Sequence, residues 1–263
     1  MLQSISFESQ VRLGVFLVIL VTLVVLELLW PRRGDIIRRR RWPANFGVFA
    51  LNVVMLAILP VTAVSAALVS LEYKFGLFFW VEVPFWPKVI FSVIVLDLVI
   101  YWQHRIFHMW DMGWRFHRMH HADTGFDATT ALRFHPVEIF ISVLIKAVAI
   151  ILLGAPVFAV VLFEVILNGS AMFNHSNFRL PLWLDRLIRP IVVTPDMHRV
   201  HHSTIPSEHN MNYGFALSVW DRIFGSYLPQ PAAGHEDMEI GLNLFREPVE
   251  MRVDKLITQP FRN

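Results

Sequence analysis

The chain has no cysteine. That excludes thiolate-ligated haem, iron–sulfur clusters, zinc ribbons and disulfides together, and leaves nitrogen and oxygen as the available metal donors. Charge is scarce as well: 17% of the 263 residues are charged against 55% hydrophobic, which is wrong for an ordinary soluble domain. A formal net charge of +2 is too small to argue for a nucleic-acid partner. No 20–50-residue repeat or low-complexity tract appears. The twelve glycines form no G-x-G-x-x-G, so no nucleotide- or flavin-binding segment is expected. Nor is there an H-E-x-x-H to place two zinc ligands and a carboxylate base on one helical turn.

What is present is long apolar stretches and histidine. Residues 11–30 ("VRLGVFLVILVTLVVLELLW") make about 30 Å of helix, the thickness of a bilayer hydrocarbon core. With Arg12 alone upstream, no small-residue cleavage site and six arginines between 32 and 41, this segment reads as a retained anchor, not a cleaved signal. Further spans are expected at about 45–70 and 88–108. Residues 137–178, interrupted by "GAP" at 154–156, are expected to form a hairpin of two more. Lys146 in its first arm must tilt, snorkel or face the protein interior. Residues 179–263 carry eight of the fifteen prolines and no span. The fold class is therefore all-α: a membrane bundle of about four to five helices with a histidine-rich helical cap.

The arginine-rich loop assigns that end to the cytoplasm by the positive-inside rule. If each segment then crosses once, 75–86 becomes an outer loop, and all twelve histidines fall on the cytoplasmic side although none was used to assign the topology. Three regions are expected: 1–90 with the first membrane helices and the arginine-rich loop, 91–228 with most of the histidines, and 229–263 as a C-terminal cytoplasmic tail.

The histidines are spaced as helical faces. His104 and His108 in "HRIFH" are i,i+4; His117, His120 and His121 in "HRMHH" are i, i+3, i+4, and His198, His201 and His202 in "HRVHH" repeat that spacing. His175 in "FNHSN" ends a polar stripe, and His135 in "RFHPVE" is either a further ligand or a turn residue before Pro136. Taken singly, His209 and His235 read as ordinary surface or core histidines. Imidazole suits iron, zinc, copper or nickel, and so many nitrogens exceed one ion's capacity, so two ions are the economical reading. Asp97, Glu164 and Asn168 lie on polar stripes that run toward this site, and are expected to support the ligating imidazoles or to join helices by hydrogen bonds. A two-metal centre beside a lipid-accessible pocket suits oxygen chemistry on a C–H bond. The alternatives are a metal-binding membrane transporter or sensor, and a zinc-dependent lipid hydrolase.

The ordered motifs HxxxH, HxxHH and HxxHH, with "FHPVE", "NHSN", "EHNMNYG" and "WDRIFGSY" around them, resemble the fatty acid hydroxylase or sterol desaturase superfamily over about residues 95–228. The resemblance implies ligation of two iron ions, with zinc possible in isolated protein, by His104, His108, His117, His120, His121, His198, His201 and His202, joined by His175. It also implies hydroxylation or desaturation of a sterol, fatty acyl chain or related lipid, with no bound haem or flavin. Electrons would come from a separate donor of cytochrome b5-like or ferredoxin-like type with its reductase. Arg105, Arg118 and Arg199 are candidates for docking it, or else for ion pairing at the membrane face.

Overall fold

A computed structural model describes residues 2–34 and 37–262; Asp35 and Ile36 of the arginine-rich loop lie outside them. The described residues are helical, with only isolated backbone bridges and no β-strand. Eight helices carry the architecture: α1 (Leu2–Leu29), α2 (Arg38–Ile58), α3 (Ala63–Glu72), α4 (Leu77–Trp80), α5 (Phe85–Met109), α6 (Asp111–His121), α7 (Pro136–Leu153) and α8 (Val157–Asn174). Among the described residues, five stretches are long and apolar enough to cross a membrane: Gln10–Leu29, Arg38–Trp80, Phe85–Met109, Pro136–Leu153 and Val157–Asn174. Large apolar side chains such as Val18, Val21 and Leu28 stand outward on α1, the arrangement of a lipid-facing surface.

The second span, expected at about 45–70, is present but is built from two helices. Pro60 has no N–H to continue the ladder and keeps Leu59 extended (ψ 132°). Thr62 then restarts the helix through a capping box: its hydroxyl accepts from Ser65 N at 3.0 Å, while Thr62 N donates to Ser65 Oγ at 2.8 Å. α2 also begins earlier than expected. Arg41, in its first turns, is buried in the cap and grips Asp123 and Asp127.

One end of the bundle is closed by the 75–86 loop packed on the turn at 154–156. Gly76 (φ +120°) lies so close to Gly154 that a Cβ there would fall 2.3 Å from Gly154 N, and Phe85 and Trp86 pack on Phe158. The opposite end carries the cap. There the Glu27 carboxylate at the end of α1 accepts from Ala128 N and Asn177 N, both at 2.8 Å. Asp97 of α5 accepts from Ala216 N, Leu217 N and Trp220 Nε1, which docks the 216–220 segment on the bundle. The residues beyond 228 lie against the cap: Leu256 is fully buried with Ala44, Val48 and Met119, and Arg118 donates to the Gln259 carbonyl.

Candidate metal centre

Nine histidines meet in the cap in two groups, His104, His108, His117, His121 and His201 in one, and His120, His175, His198 and His202 in the other. Within each group the potential ligand atoms lie within 4.8 Å of one another. The last turns of α5 deliver His104 and His108, and α6 delivers His117, His120 and His121. The C-cap of α8 is His175; helix α9 (Leu182–Ile188) and then α10 (Pro195–His201) lead to His198, His201 and the C-cap His202. α10 starts at Pro195 behind Thr194, whose hydroxyl accepts from Met197 N.

The two histidine words do not each serve one group. "HRMHH" sends its i,i+4 pair, His117 and His121, to the first group and His120 to the second; "HRVHH" sends His198 and His202 to the second and His201 to the first. Helical geometry is the cause. Residues four apart share a face, whereas the residue at i+3 is rotated to the other side of the first by about 60°.

The nitrogen geometry tests whether these side chains fit a cation. His104 Nδ1 donates to the Tyr213 carbonyl at 2.8 Å and His201 Nδ1 to the Met211 carbonyl at 2.7 Å, so in neutral rings both Nε2 atoms carry lone pairs. Those two Nε2 atoms face each other at 3.0 Å, and His117 Nε2 is 3.1 Å from His104 Nε2. In the second group His175 Nδ1 donates to the Ala171 carbonyl, while its Nε2 lies 3.0 to 3.1 Å from the Nε2 atoms of His120, His198 and His202. One proton cannot satisfy three such contacts. Burial, followed by neighbouring imidazoles, pushes His120, His121, His198, His201 and His202 well below the ordinary histidine range, and burial brings His175 down to about 4 against the pull of its Ala171 hydrogen bond, which favours neutral rings. Converging lone pairs need a positive centre, and nitrogens about 2.1 Å from a shared ion stand about 3 Å apart at right angles. Neither nitrogen of buried His121 has a hydrogen-bond partner, and ligation would satisfy one of them. The donor set fits two metal ions.

Glu138 completes this arrangement, although the sequence alone does not point to it. Its carboxylate accepts from His117 Nδ1 at 2.7 Å, fixing that ring with Nε2 toward the group. The only sequence signal was a carboxylate in the first turn of a helix opened by "HP". The supports expected at Asp97, Glu164 and Asn168 do not touch imidazole. Asp97 holds the 216–220 segment, Glu164 pairs with Lys146 and Arg12, and Asn168 donates to the Glu164 carbonyl oxygen. Both stripes do approach the site, but their polar groups find nearer partners. His135 is the turn residue of its two readings: it N-caps α7, accepting from Val137 N through Nδ1 and donating to the Ile257 carbonyl through Nε2, so neither nitrogen is left for a metal.

His209 stacks on Trp114, and His235 lies 3.7 Å from Asp196, both outside the two groups. Of the arginines weighed for docking, Arg199 is fully buried against Asp196 and Phe126, and Arg118 turns inward to backbone carbonyls. Arg105 binds the Tyr101 hydroxyl and the Phe224 carbonyl. All three brace the cap.

A cavity of about 310 Å³ leads from the first group into the bundle. His104, His117 and Glu138 form one end, Phe16, Phe49, Phe134 and Val143 contribute apolar wall, and Arg12, Lys146 and Glu164 line its far part.

Residues 89–226 match the family model described as fatty acid hydroxylase. Among curated proteins, the chain is 28% identical to an ornithine lipid hydroxylase of Rhizobium tropici over 69% of this chain and 54% of that one. It is 30% identical to the alkylglycerol monooxygenase of Homo sapiens over 62% and 35%, and 27% identical to a methylsterol monooxygenase of Arabidopsis thaliana over 68% and 64%. The chain thus spans about half the length of the first of these relatives and less of the human one. No solved structure matches it.

Proposed function

Because the chain belongs to the fatty acid hydroxylase family, we propose that it is a membrane-bound di-iron oxygenase that hydroxylates or desaturates an aliphatic C–H of a lipid. The observation that carries this reading is the cavity, apolar in its wall, that ends on His104 and His117, where imidazole lone pairs converge. His104, His108, His117, His121 and His201 would hold one ion, and His120, His175, His198 and His202 the other. When bound, the two irons supply the redox chemistry by which O2 oxidises an unactivated C–H, with electrons from a separate donor.

The chain's own residues do the rest. Phe16, Phe49 and Val143 bind an aliphatic segment and exclude water from the reacting end. The Glu138 carboxylate holds the proton of His117 at Nδ1 and makes the opposite nitrogen a stronger donor. The Tyr213 and Met211 carbonyls orient His104 and His201 in the same way. The arginine-rich loop is joined to the cap by Arg32, Arg33 and Arg41, and its positive charge supports a cytoplasmic position for the histidine end, on the side of a separate electron donor.

Purified protein supplied with iron is expected to hold about two ions per chain, and to consume O2 only with both a lipid and an electron donor. His120→Ala and His201→Ala each take a ligand from a different group, and each should lower the metal content. Full metal retention in both variants would contradict the ligand assignment, and lipid turnover under strict anaerobiosis with zinc alone would favour hydrolysis. Lipid profiling of cells with and without the gene should show gain of one oxygen or loss of two hydrogens in the substrate.

A further inference from the structure

Three charged side chains of the membrane-spanning part of the protein, from three different helices, meet at one place. Lys146, in the middle of α7, lies with Nζ 3.2 Å from Glu164 of α8, and the other oxygen of that carboxylate is 2.5 Å from Arg12 of α1. Ionisable groups at this depth are costly, and packing of small and apolar residues would join three helices without them. These three are not confined to a helix seam. All of them line the cavity that begins at His104 and His117, with Ser142 and Asn168 beside them.

The distance between the two ends can be read along one helix. Glu138 marks the histidine end and Lys146 the charged end; both lie on α7, and the eight-residue step at 1.5 Å each is about 12 Å. The wall between them includes Ile139 and Val143 from α7, and apolar residues of α1, α2 and the 131–134 segment face them. The cavity is therefore amphipathic along its length. Hydrogen-bonding capacity also remains at the charged end: the ammonium has three N–H groups and the carboxylate about four acceptor positions. Donor and acceptor stand side by side there, which suits an oxygen-bearing group and offers nothing to a hydrocarbon end.

We propose that Lys146 and Glu164 form a subsite for the oxygen-bearing polar end of an amphiphilic lipid, so that the carbon presented to the imidazoles is set by its distance, about 12 Å, from that end. The proposal rests on the oxygenase reading for its consequence but not for the binding itself. Hydroxyl and carboxylate ends share the oxygen chemistry, and the test separates them. An unactivated carbon well along the chain is oxidised, while carbons adjacent to the polar group are held away from the metal end.

The metal-loaded full chain in lipid nanodiscs is titrated with a normal alkane, the 1-alkanol and the fatty acid of equal chain length, and binding is followed by native mass spectrometry. The alkanol or the acid is expected to bind more tightly than the alkane; which of the two does so identifies the end group. Lys146→Met and Glu164→Gln should weaken that ligand by about tenfold or more, the worth of one hydrogen bond to a charged group, with alkane binding unchanged. Lys146→Arg should retain most of the affinity. Unchanged alkane binding also reports that the variants fold. If the alkane binds as well as both polar ligands, or if Lys146→Met leaves the polar ligand's affinity intact, the subsite is overturned. In turnover, lengthening the chain should leave the oxidised position constant when counted from the polar end; a position that tracks the methyl end also overturns it. Lysine-dependent binding with no product from any lipid would instead sink the oxygenase reading and leave the subsite standing.

Discussion

Glu138 and His135 stand three residues apart and show what a side chain's role owes to its surroundings. His135 spends both nitrogens on the backbone, one on Val137 N and one on the Ile257 carbonyl, whereas Glu138 directs its carboxylate at His117 Nδ1. Replacing His135 by alanine is therefore expected to leave the metal content intact. Glu138→Gln keeps the shape but loses the charge that strengthens His117 as a ligand, and should lower metal affinity about ten- to a hundredfold. Competition with a chelator of known affinity, read as metal retained per chain, checks both variants; equal retention in Glu138→Gln and the unsubstituted protein would contradict this role. The clustered histidines were legible in the sequence because imidazole clusters carry their chemistry in the residue type. Glu138 was not, because a buried carboxylate has many uses and its partner lies 21 residues away in the chain.

Among the elements, α2 carries the least expected role. Its later turns belong to the membrane bundle, but its first turns enter the cap, where Arg41 Nη2 donates to Asp123 at 2.7 Å and Nη1 to Asp127 at 2.7 Å, with Thr130 at 3.0 Å. This clamps the segment that leaves α6 directly after His121, and so steadies the helix bearing three of the nine histidines. The guanidinium keeps Asp123 far below the usual carboxylate range despite complete burial. Arg41→Met would leave buried Asp127 without its cation and Asp123 with only the more distant Arg133 at 3.7 Å, a loss of about 3–5 kcal/mol. A lowered melting temperature in detergent checks this, and a melting curve unchanged from the parent would show the clamp to be dispensable. In the sequence these arginines are a topology signal alone, because nothing local distinguishes Arg41 from Arg38, Arg39 and Arg40. The distinction arises when Asp123 and Asp127 arrive from more than eighty residues downstream.

For the molecule as a whole, the helical spans and the two-ended arrangement were legible: the 75–86 loop and the 154–156 turn close one end, and the nine clustered histidines occupy the other. The assignment of that second end to the cytoplasm is directly measurable, because a cysteine-free chain accepts single cysteines without background. Exposed Glu82 and Asp237 lie at opposite ends. Glu82→Cys should react with a membrane-impermeant maleimide in intact cells, and Asp237→Cys only after the membrane is opened. Reaction of both in intact cells, or the reverse order, would overturn the orientation.

Chain composition and local spacing by themselves determined that this protein is helical, enters a membrane and concentrates imidazole at one end, because hydropathy and helical period act over one turn to one span. The tertiary structure alone decided how the two histidine words divide between two groups, which carboxylate supports a ligand, and that Lys146 and Glu164 meet on a shared cavity. These depend on which faces of distant helices are packed together, and a buried polar group takes the partner nearest in space.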